Sequence, residues 1–305
     1  MAAAVPDSLA LVTVTHNSAP ELEAMLRSAE HHLPGARVIV VDCASSDASL
    51  STAERHGAVT ISLRENVGFG RGCNRGLAAV HEPVTALLNP DVELLDDSLL
   101  RVASEALRAD APPRLLAPLV LRPDGTRQDS VHPRPGSPAE LLRAVLPPTL
   151  MPGPAGVALA PWRASAPRRV GWAVGCAVLG RTATLLELGP FDERIFLFSE
   201  DLDLGLRAAQ RGVDTWFWPG ARVLHRQSHS IDRAFGGEPF EMLARARREV
   251  IARRLGPGRA RLDDAAQALT FATRIMAKRA RGRAADRERR QLRALISTRR
   301  EWREP

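Results

Sequence analysis

Three apolar runs that each break off in asparagine or aspartate constrain the fold of this chain more than any other feature. "LALVTVTHN", "ARVIVVDCASSD" and "VTALLNPDVEL" are aliphatic or β-branched segments that end in His16-Asn17, in Asp42 to Asp47, and in Asn89-Pro90-Asp91. "AVTISL" and "RLLAPLVL" are further runs of the same kind. Continuous rather than alternating apolar strands belong to a parallel sheet covered on both faces. The intervening segments have a helical period. "APELEAMLRSAEHHL" places Leu22, Met25, Leu26 and Ala29 on one face, and "SLLRVASEALRA" is a helix with its cap near Asp97 or Ser98. Right-handed crossovers put ligands at the carboxyl ends of such strands, so the three polar clusters are expected to meet in one crevice.

Downstream, residues 122–136 are turn-rich, and "SPAELLRAVL" opens with Ser137, Pro138 and Glu140, a capping box with proline in the first helical position. Residues 144–162 carry no charge, but Pro147, Pro148, Pro152, Pro154 and Pro161 exclude a membrane helix and predict a loop over the acceptor or a plain surface loop. "VGWAVGCAVLG" is expected as one strand, "SEDLDLGLRAAQRG" as a helix ending at Gly212, and "VDTWFWPGARVLHRQSHS" as two short strands leading into His225 and His229. The tail has a helical pattern broken at Gly256-Pro257-Gly258.

Charge is unevenly spread. The chain has 42 Lys and Arg against 35 Asp and Glu, yet residues 241–305 hold 19 of the former and 8 of the latter. The basic character belongs to the tail, which suits nucleic acid, an anionic membrane, or a solvated helix face. Few aromatics accompany those arginines (Phe271 and Trp302), so nucleic acid is not an expected partner. Cys43, Cys73 and Cys176 are far apart, which argues against a disulfide framework or a zinc site. With an N-terminus lacking a basic start, the expected setting is the cytoplasm, free or peripheral on the inner face of the cell membrane.

Several chemistries fit the polar clusters. Asp42 at a strand end suggests a ribose-binding acid, but "THNSAPELE" stands where a dinucleotide fold needs G-x-G-x-x-G, and there is no Walker A sequence. "NVGFGRGCNRG" is a loop and helix start whose glycines let backbone N–H groups approach a phosphate beside Arg71. Asn89-Pro90-Asp91 is a turn, or one carboxylate for a hard divalent cation that completes its shell with phosphate oxygens and water. Glu200, Asp201 and Asp203 either stabilise a helix N-terminus or place a general base behind an apolar stretch. His225 follows a strand that ends near the crevice.

Together, "VTVTHNS", "VIVVDCASSD", "ENVGFGRGCNRG", "LLNPDVEL", "VGWAVGCAVLGR", "GPFDERIFLFSEDLDLGLRAAQRG" and "ARVLHRQSHS" occur in the order seen in family 2 glycosyltransferases, and over about residues 9–232 the chain resembles their bacterial rhamnosyltransferase-like branch. The resemblance implies a GT-A fold, a Rossmann-like α/β domain with a mostly parallel central sheet. It spans 1–240, with a nucleotide-binding half to about 120 and an acceptor-binding half beyond, and a basic helical extension follows over 241–305. It implies that Thr15, His16 and Asn17 lie against base and ribose, with His16 where the family usually has Tyr. Asp42 would bond the pyrimidine ring, and Asn66, Arg71 and Asn89 would lie along the nucleotide or diphosphate. Asn89-Pro90-Asp91 resembles the family's Asp-x-Asp motif with Asn for the first Asp. Asp91 would then hold Mg²⁺ or Mn²⁺, completed by His225. Trp172, Gly175 and Cys176 are implied at the acceptor.

The chemistry so implied is an inverting displacement. An acceptor hydroxyl attacks the anomeric carbon, the nucleoside diphosphate leaves, and Asp201, with Glu200 as the alternative, takes the proton. The donor would be of dTDP or UDP type, dTDP-rhamnose foremost. The acceptor would be a lipid-linked sugar or glycan of cell-wall assembly, or a soluble small molecule. A nucleotidyltransferase lacks its glycine-rich basic loop here, and a non-catalytic protein binding through the tail is the alternative of another class.

Overall fold

The computed structural model describes residues 6–146, 151, 153–189, 191–226 and 237–301. The chain forms two compact units. Among the described residues, the first takes those up to His132 and 162–226, and the second takes those of 133–161 and 237–301. The segment 133–161, expected with the first domain, thus groups with the C-terminal helices.

The first unit is built on a mixed sheet in the order β3-β2-β1-β4-β10-β6-β11-β5, with β8 paired to β11. Its parallel part is β1 (Leu9–Thr15), β2 (Arg37–Cys43), β3 (Val59–Leu63) and β4 (Val84–Leu88), and β6 (Arg114–Leu121) runs parallel to β11 (Asp214–His225). β10 (Ala177–Arg181) enters antiparallel between β4 and β6, while β5 (Val92–Leu94) and β8 (Arg168–Val170) pair antiparallel with β11. All seven residues of β1 and all five of β4 are buried, as continuous apolar strands at a sheet's centre require. Leu22, Met25, Leu26 and Ala29 of α1 (Ala19–His32) pack into this core, the face expected from their spacing.

Three local readings change. "VGWAVGCAVLG" is two strands, β9 (Trp172–Ala173) and β10, parted by a turn at Val174–Cys176. β9 leaves the main sheet to pair with β7 (Val131–His132). "VDTWFWPGARVLH" is one strand, not two, and its proline and glycine lie in a register shift between Trp218 and Arg222. Part of the segment expected as a loop, Gly153–Leu159, is helical, whereas α4 (Ser98–Leu107) has its N-cap at Asp97 as expected, with the Asp96 carboxylate accepting the Ser98 N–H at 2.9 Å.

The glycines of "NVGFGRGCNRG" serve close packing. On α3 (Phe69–Leu77), a Cβ at Gly72 would lie 2.6 Å from Val14 Cγ1, and one at Gly76 would lie 2.4 Å from Val12 Cγ1. At Gly68, φ is +83° and a Cβ would meet the Phe196 carbonyl oxygen at 2.0 Å. The helix lies on β1, and the loop before it lies against the Phe196 backbone, because these positions have no side chain.

The second unit is helical: α5 (Pro138–Val145), α6 (Gly153–Leu159), α9 (Phe240–Leu255), α10 (Pro257–Arg279) and α11 (Asp286–Glu301). Ser137 caps α5 as expected, accepting the Glu140 N–H at 3.3 Å, but the Glu140 carboxylate returns to the Gly136 N–H rather than to Ser137. Buried cations and anions are matched here. Arg248 meets Asp264 at 2.8 Å with both side chains 2% exposed, and Arg247 bridges Glu140 and Asp263. Among the described residues no helix is long and apolar enough to cross a membrane.

Candidate active site

Four non-glycine residues among those described have a left-handed backbone: Asn17, Ala44, Phe198 and Ser199. The first two follow β1 and β2, and the last two immediately precede α8 (Glu200–Gln210). Such conformations are held only where the surroundings fix them, and they gather at functional sites.

At the first corner, Thr15 and Asp42 are register partners at the ends of β1 and β2. His16 Nδ1 donates to the Cys43 carbonyl at 2.7 Å, which fixes its tautomer. Asn17 Oδ1 accepts the backbone N–H groups of Ser46 (2.7 Å) and Asp47 (3.3 Å), and its own N–H donates to Ser45 Oγ, so it stitches the two strand ends together. Asp42 is 2% exposed. Its Oδ2 accepts the Ser45 N–H at 3.1 Å, while its buried Oδ1 has no partner. A buried carboxylate oxygen of this kind calls for a donor.

At the second corner, the Asp91 Oδ1 lies 3.1 Å from His225 Nε2, both residues being buried. The His225 Nδ1 hydrogen bonds Gln128 Oε1 at 3.0 Å. An amide oxygen only accepts, so Nδ1 donates to Gln128 and Nε2 is the ring nitrogen turned to Asp91. Two acceptors this close need a proton or a cation between them. One carboxylate oxygen and one imidazole nitrogen, oriented by an outer hydrogen bond, fit Mg²⁺ or Mn²⁺ that draws its remaining ligands from a diphosphate. No group of three or more His, Cys, Asp or Glu side chains able to hold a metal ion exists among the described residues.

The third corner is the start of α8. Asp201 Oδ2 accepts the Gly175 N–H at 2.9 Å, and a Cβ on Gly175 would lie 3.2 Å from the Asp201 Cβ. Glu200 turns to α3, its Cβ 3.8 Å from where a Gly70 Cβ would stand, with Oε2 buried and unpartnered. Burial, with the adjacent Asp201 charge second, pushes the Glu200 carboxyl up to about 8. Near neutrality the pair therefore shares one proton, which burial places on Glu200. Asp203, the third acid, is fully buried in an ion pair with Arg207 at 2.7 Å and belongs to the scaffold.

The second and third corners are joined through the β9–β10 turn. The Asn89 N–H donates to the Cys176 carbonyl at 2.9 Å, and Gly175 binds Asp201. Burial, with the Asp91 and then the Asp201 charge adding, pushes the Cys176 thiol far up, so both carboxylates lie near this one residue. The side chain of Cys176 is buried, and Trp172 stacks on His132 with ring centres 4.5 Å apart and is 8% exposed. Packing thus takes up both side chains, and Gly175 contributes backbone.

Asn66 Oδ1 accepts the Gly68 N–H at 3.0 Å, and Arg71 Nε donates to the Glu193 carbonyl at 2.8 Å. Asn66 thus shapes the loop before α3, and Arg71 supports the segment that leads into α8. Asn74 does so too, donating to the Phe191 carbonyl (3.0 Å) and accepting the Phe191 N–H (2.6 Å). Sequence reasoning missed Asn74 and Gln128. Asn74 lies in the glycine-rich segment it singled out, whereas Gln128 lies in a turn-rich stretch with no periodic signal. The last four residues of "ARVLHRQSHS", His229 among them, lie outside the described residues.

Comparison with known proteins gives the family and the fold. The model of "Glycosyl transferase family 2" matches residues 10–131. A curated relative, the N-acetylglucosaminyl-diphospho-decaprenol L-rhamnosyltransferase of Mycobacterium tuberculosis (strain ATCC 25618 / H37Rv), is 33% identical over 247 residues, covering 74% of this chain and 78% of the relative. The chain belongs to glycosyl transferase family 2. Solved structures agree with this glycosyltransferase in fold. S. aureus TarS 1-349 in complex with UDP-GlcNAc superposes with a TM-score of 0.56 at 15% identity, over 87% of this chain and 72% of that one. Mannosyltransferase PcManGT from Pyrobaculum calidifontis, in complex with GDP-Man and Mn²⁺, gives 0.54 at 16% identity over 96% and 87%. The first unit of this family 2 enzyme is thus a GT-A fold, as the order of its motifs implied.

Proposed function

We propose that this glycosyltransferase moves a sugar from a nucleoside-diphosphate donor to a hydroxyl of a lipid-linked acceptor with inversion at the anomeric carbon. L-rhamnose on a thymidine diphosphate is the foremost case. The observation that carries the reading is the backbone-linked run from Asp91–His225 through Asn89, Cys176 and Gly175 to Asp201. It brings the Asp91–His225 pair and the Asp201 carboxylate to the two flanks of one turn, which supports a diphosphate-side corner and a proton acceptor there. The choice of sugar and acceptor rests on the activity for which the mycobacterial relative is named.

Each residue then has a task. Asp42 Oδ1 accepts an N–H of the pyrimidine ring, satisfying its unpartnered oxygen. Asp91 and His225 would hold a divalent cation, which when bound would offset charge on the leaving diphosphate. Asp201 takes the acceptor's proton, held in place by the Gly175 N–H. Glu200 keeps its own proton near neutrality, which leaves Asp201 without a like charge beside it.

A panel of dTDP-, UDP- and GDP-sugars, offered with lipid-linked and soluble acceptors and Mg²⁺ or Mn²⁺, tests this. Nucleoside diphosphate release that needs both a donor and a lipid-linked acceptor supports the reading. Release only with soluble acceptors replaces the acceptor, and no release from any donor overturns the reading.

A further inference from the structure

In the second unit, α5 and α10 lie side by side and run the same way. Arg259 donates to the Gly136 carbonyl at 2.6 Å, Arg247 joins Glu140 to Asp263, and Thr273 donates to the Ala144 carbonyl at 3.1 Å. Contacts thus advance together along both helices, and both end at one end of this unit. There they turn apolar side chains to solvent. Leu142 and Val145 of α5 and Leu146 just after it, spaced i, i+3, i+4, are 47%, 54% and 41% exposed, and Met276 of α10, one turn beyond Thr273, is 63% exposed. Single exposed apolar residues are ordinary. Four grouped within a turn of one interhelical contact form a patch that calls for a partner.

The same end is basic. Arg279, Arg281 and Arg283 follow Met276, all exposed, and none is in an ion pair among the described residues. The acids that follow them are engaged elsewhere: Glu288 with Lys278 at 2.7 Å and Asp286 with Arg289 at 3.3 Å. Exposed aliphatic and thioether side chains beside uncompensated guanidinium groups complement an anionic bilayer. Apolar groups enter the headgroup–acyl boundary while arginines meet phosphates. A second copy of this chain fits less well, since symmetric apposition brings six like charges together. Nucleic acid leaves the apolar side chains without a role.

We propose that the shared C-terminal end of α5 and α10 docks the protein on an anionic phospholipid surface. The inference deepens the reading of a lipid-linked acceptor, which such a surface would present. Co-sedimentation of the full chain with phosphatidylglycerol/phosphatidylcholine vesicles, against phosphatidylcholine alone, tests it. The wild type is expected to bind the anionic vesicles only. Arg279→Ala/Arg281→Ala/Arg283→Ala should bind roughly a hundredfold more weakly, about fivefold per arginine. Val145→Asp/Met276→Asp should lose binding as well, both variants keeping helicity and nucleoside diphosphate release with a detergent-solubilised lipid-linked acceptor. Equal binding to both vesicle types, unchanged binding by the variants, or a tip that governs only self-association or single-stranded DNA binding overturns the proposal. Sedimentation needs no turnover. A chain that binds vesicles but transfers no sugar sinks the transferase reading alone, and an active chain that ignores vesicles sinks the docking tip alone.

Discussion

Glu200 and Asp201 are neighbours in sequence with opposite surroundings, and that difference divides their work. Asp201 accepts two backbone N–H groups, from Gly175 and Leu202, whereas Glu200 has a buried oxygen with none. The unfolded Glu200 carboxyl loses its proton near 4.5, while the folded one keeps it to about 8. The native state binds more protons in that window, so folding stability falls as pH rises through it. Glu200→Gln is expected to flatten this decline, and melting temperatures of both proteins between pH 5 and pH 9 (a span set by those two values) check it; parallel curves would contradict the assignment. Gln128 is the other residue with a task of its own. Replacing it with Leu removes the bond that orients His225, and the affinity for Mn²⁺ with bound nucleoside diphosphate should fall about 10- to 100-fold, as read by calorimetry. An unchanged affinity would show that the His225 ring needs no such support. Asp42, Asp91, Asp201 and His225 could be singled out from sequence because each lies at or just after the end of an apolar run or at the start of a helix. Gln128 could not, since its partner lies 97 residues away and nothing local marks it.

At the scale of elements, the strands and helices were legible wherever burial alone set the pattern. β1 and β4 are buried throughout and were plain as apolar runs. The direction of β10 was not, because an apolar strand between two others looks the same whether parallel or antiparallel. Nor was the break between β9 and β10, where Gly175 closes on Asp201. The glycines of α3 were visible as a cluster, and the sequence drew them towards a phosphate. Their demonstrable work is packing on Val12 and Val14, which only the approach of helix to strand reveals. Gly76→Ala puts a methyl carbon 2.4 Å from the buried, β-branched Val12, and overpacking of this kind costs about 1–3 kcal/mol. Urea titration should show that loss, with helix content retained; stability equal to the wild type would mean that α3 can lift from β1 without penalty.

For the whole molecule, the charge asymmetry of the sequence coincides with a structural boundary, although not the one expected. Residues 133–161 join the basic C-terminal helices, so the second unit is assembled from two separated stretches of chain. No local pattern announces such an assembly, because it depends on Glu140 and Gly136 meeting Arg247 and Arg259 from far along the chain. The central claim concerns the first unit: Asp201 is the proton acceptor of a sugar transfer whose donor is held at the Asp91–His225 corner. Single-turnover transfer by Asp201→Asn, with donor affinity measured in parallel, tests it most directly. The account predicts transfer slowed about 10²- to 10⁴-fold with donor affinity kept. Transfer at the wild-type rate would contradict it.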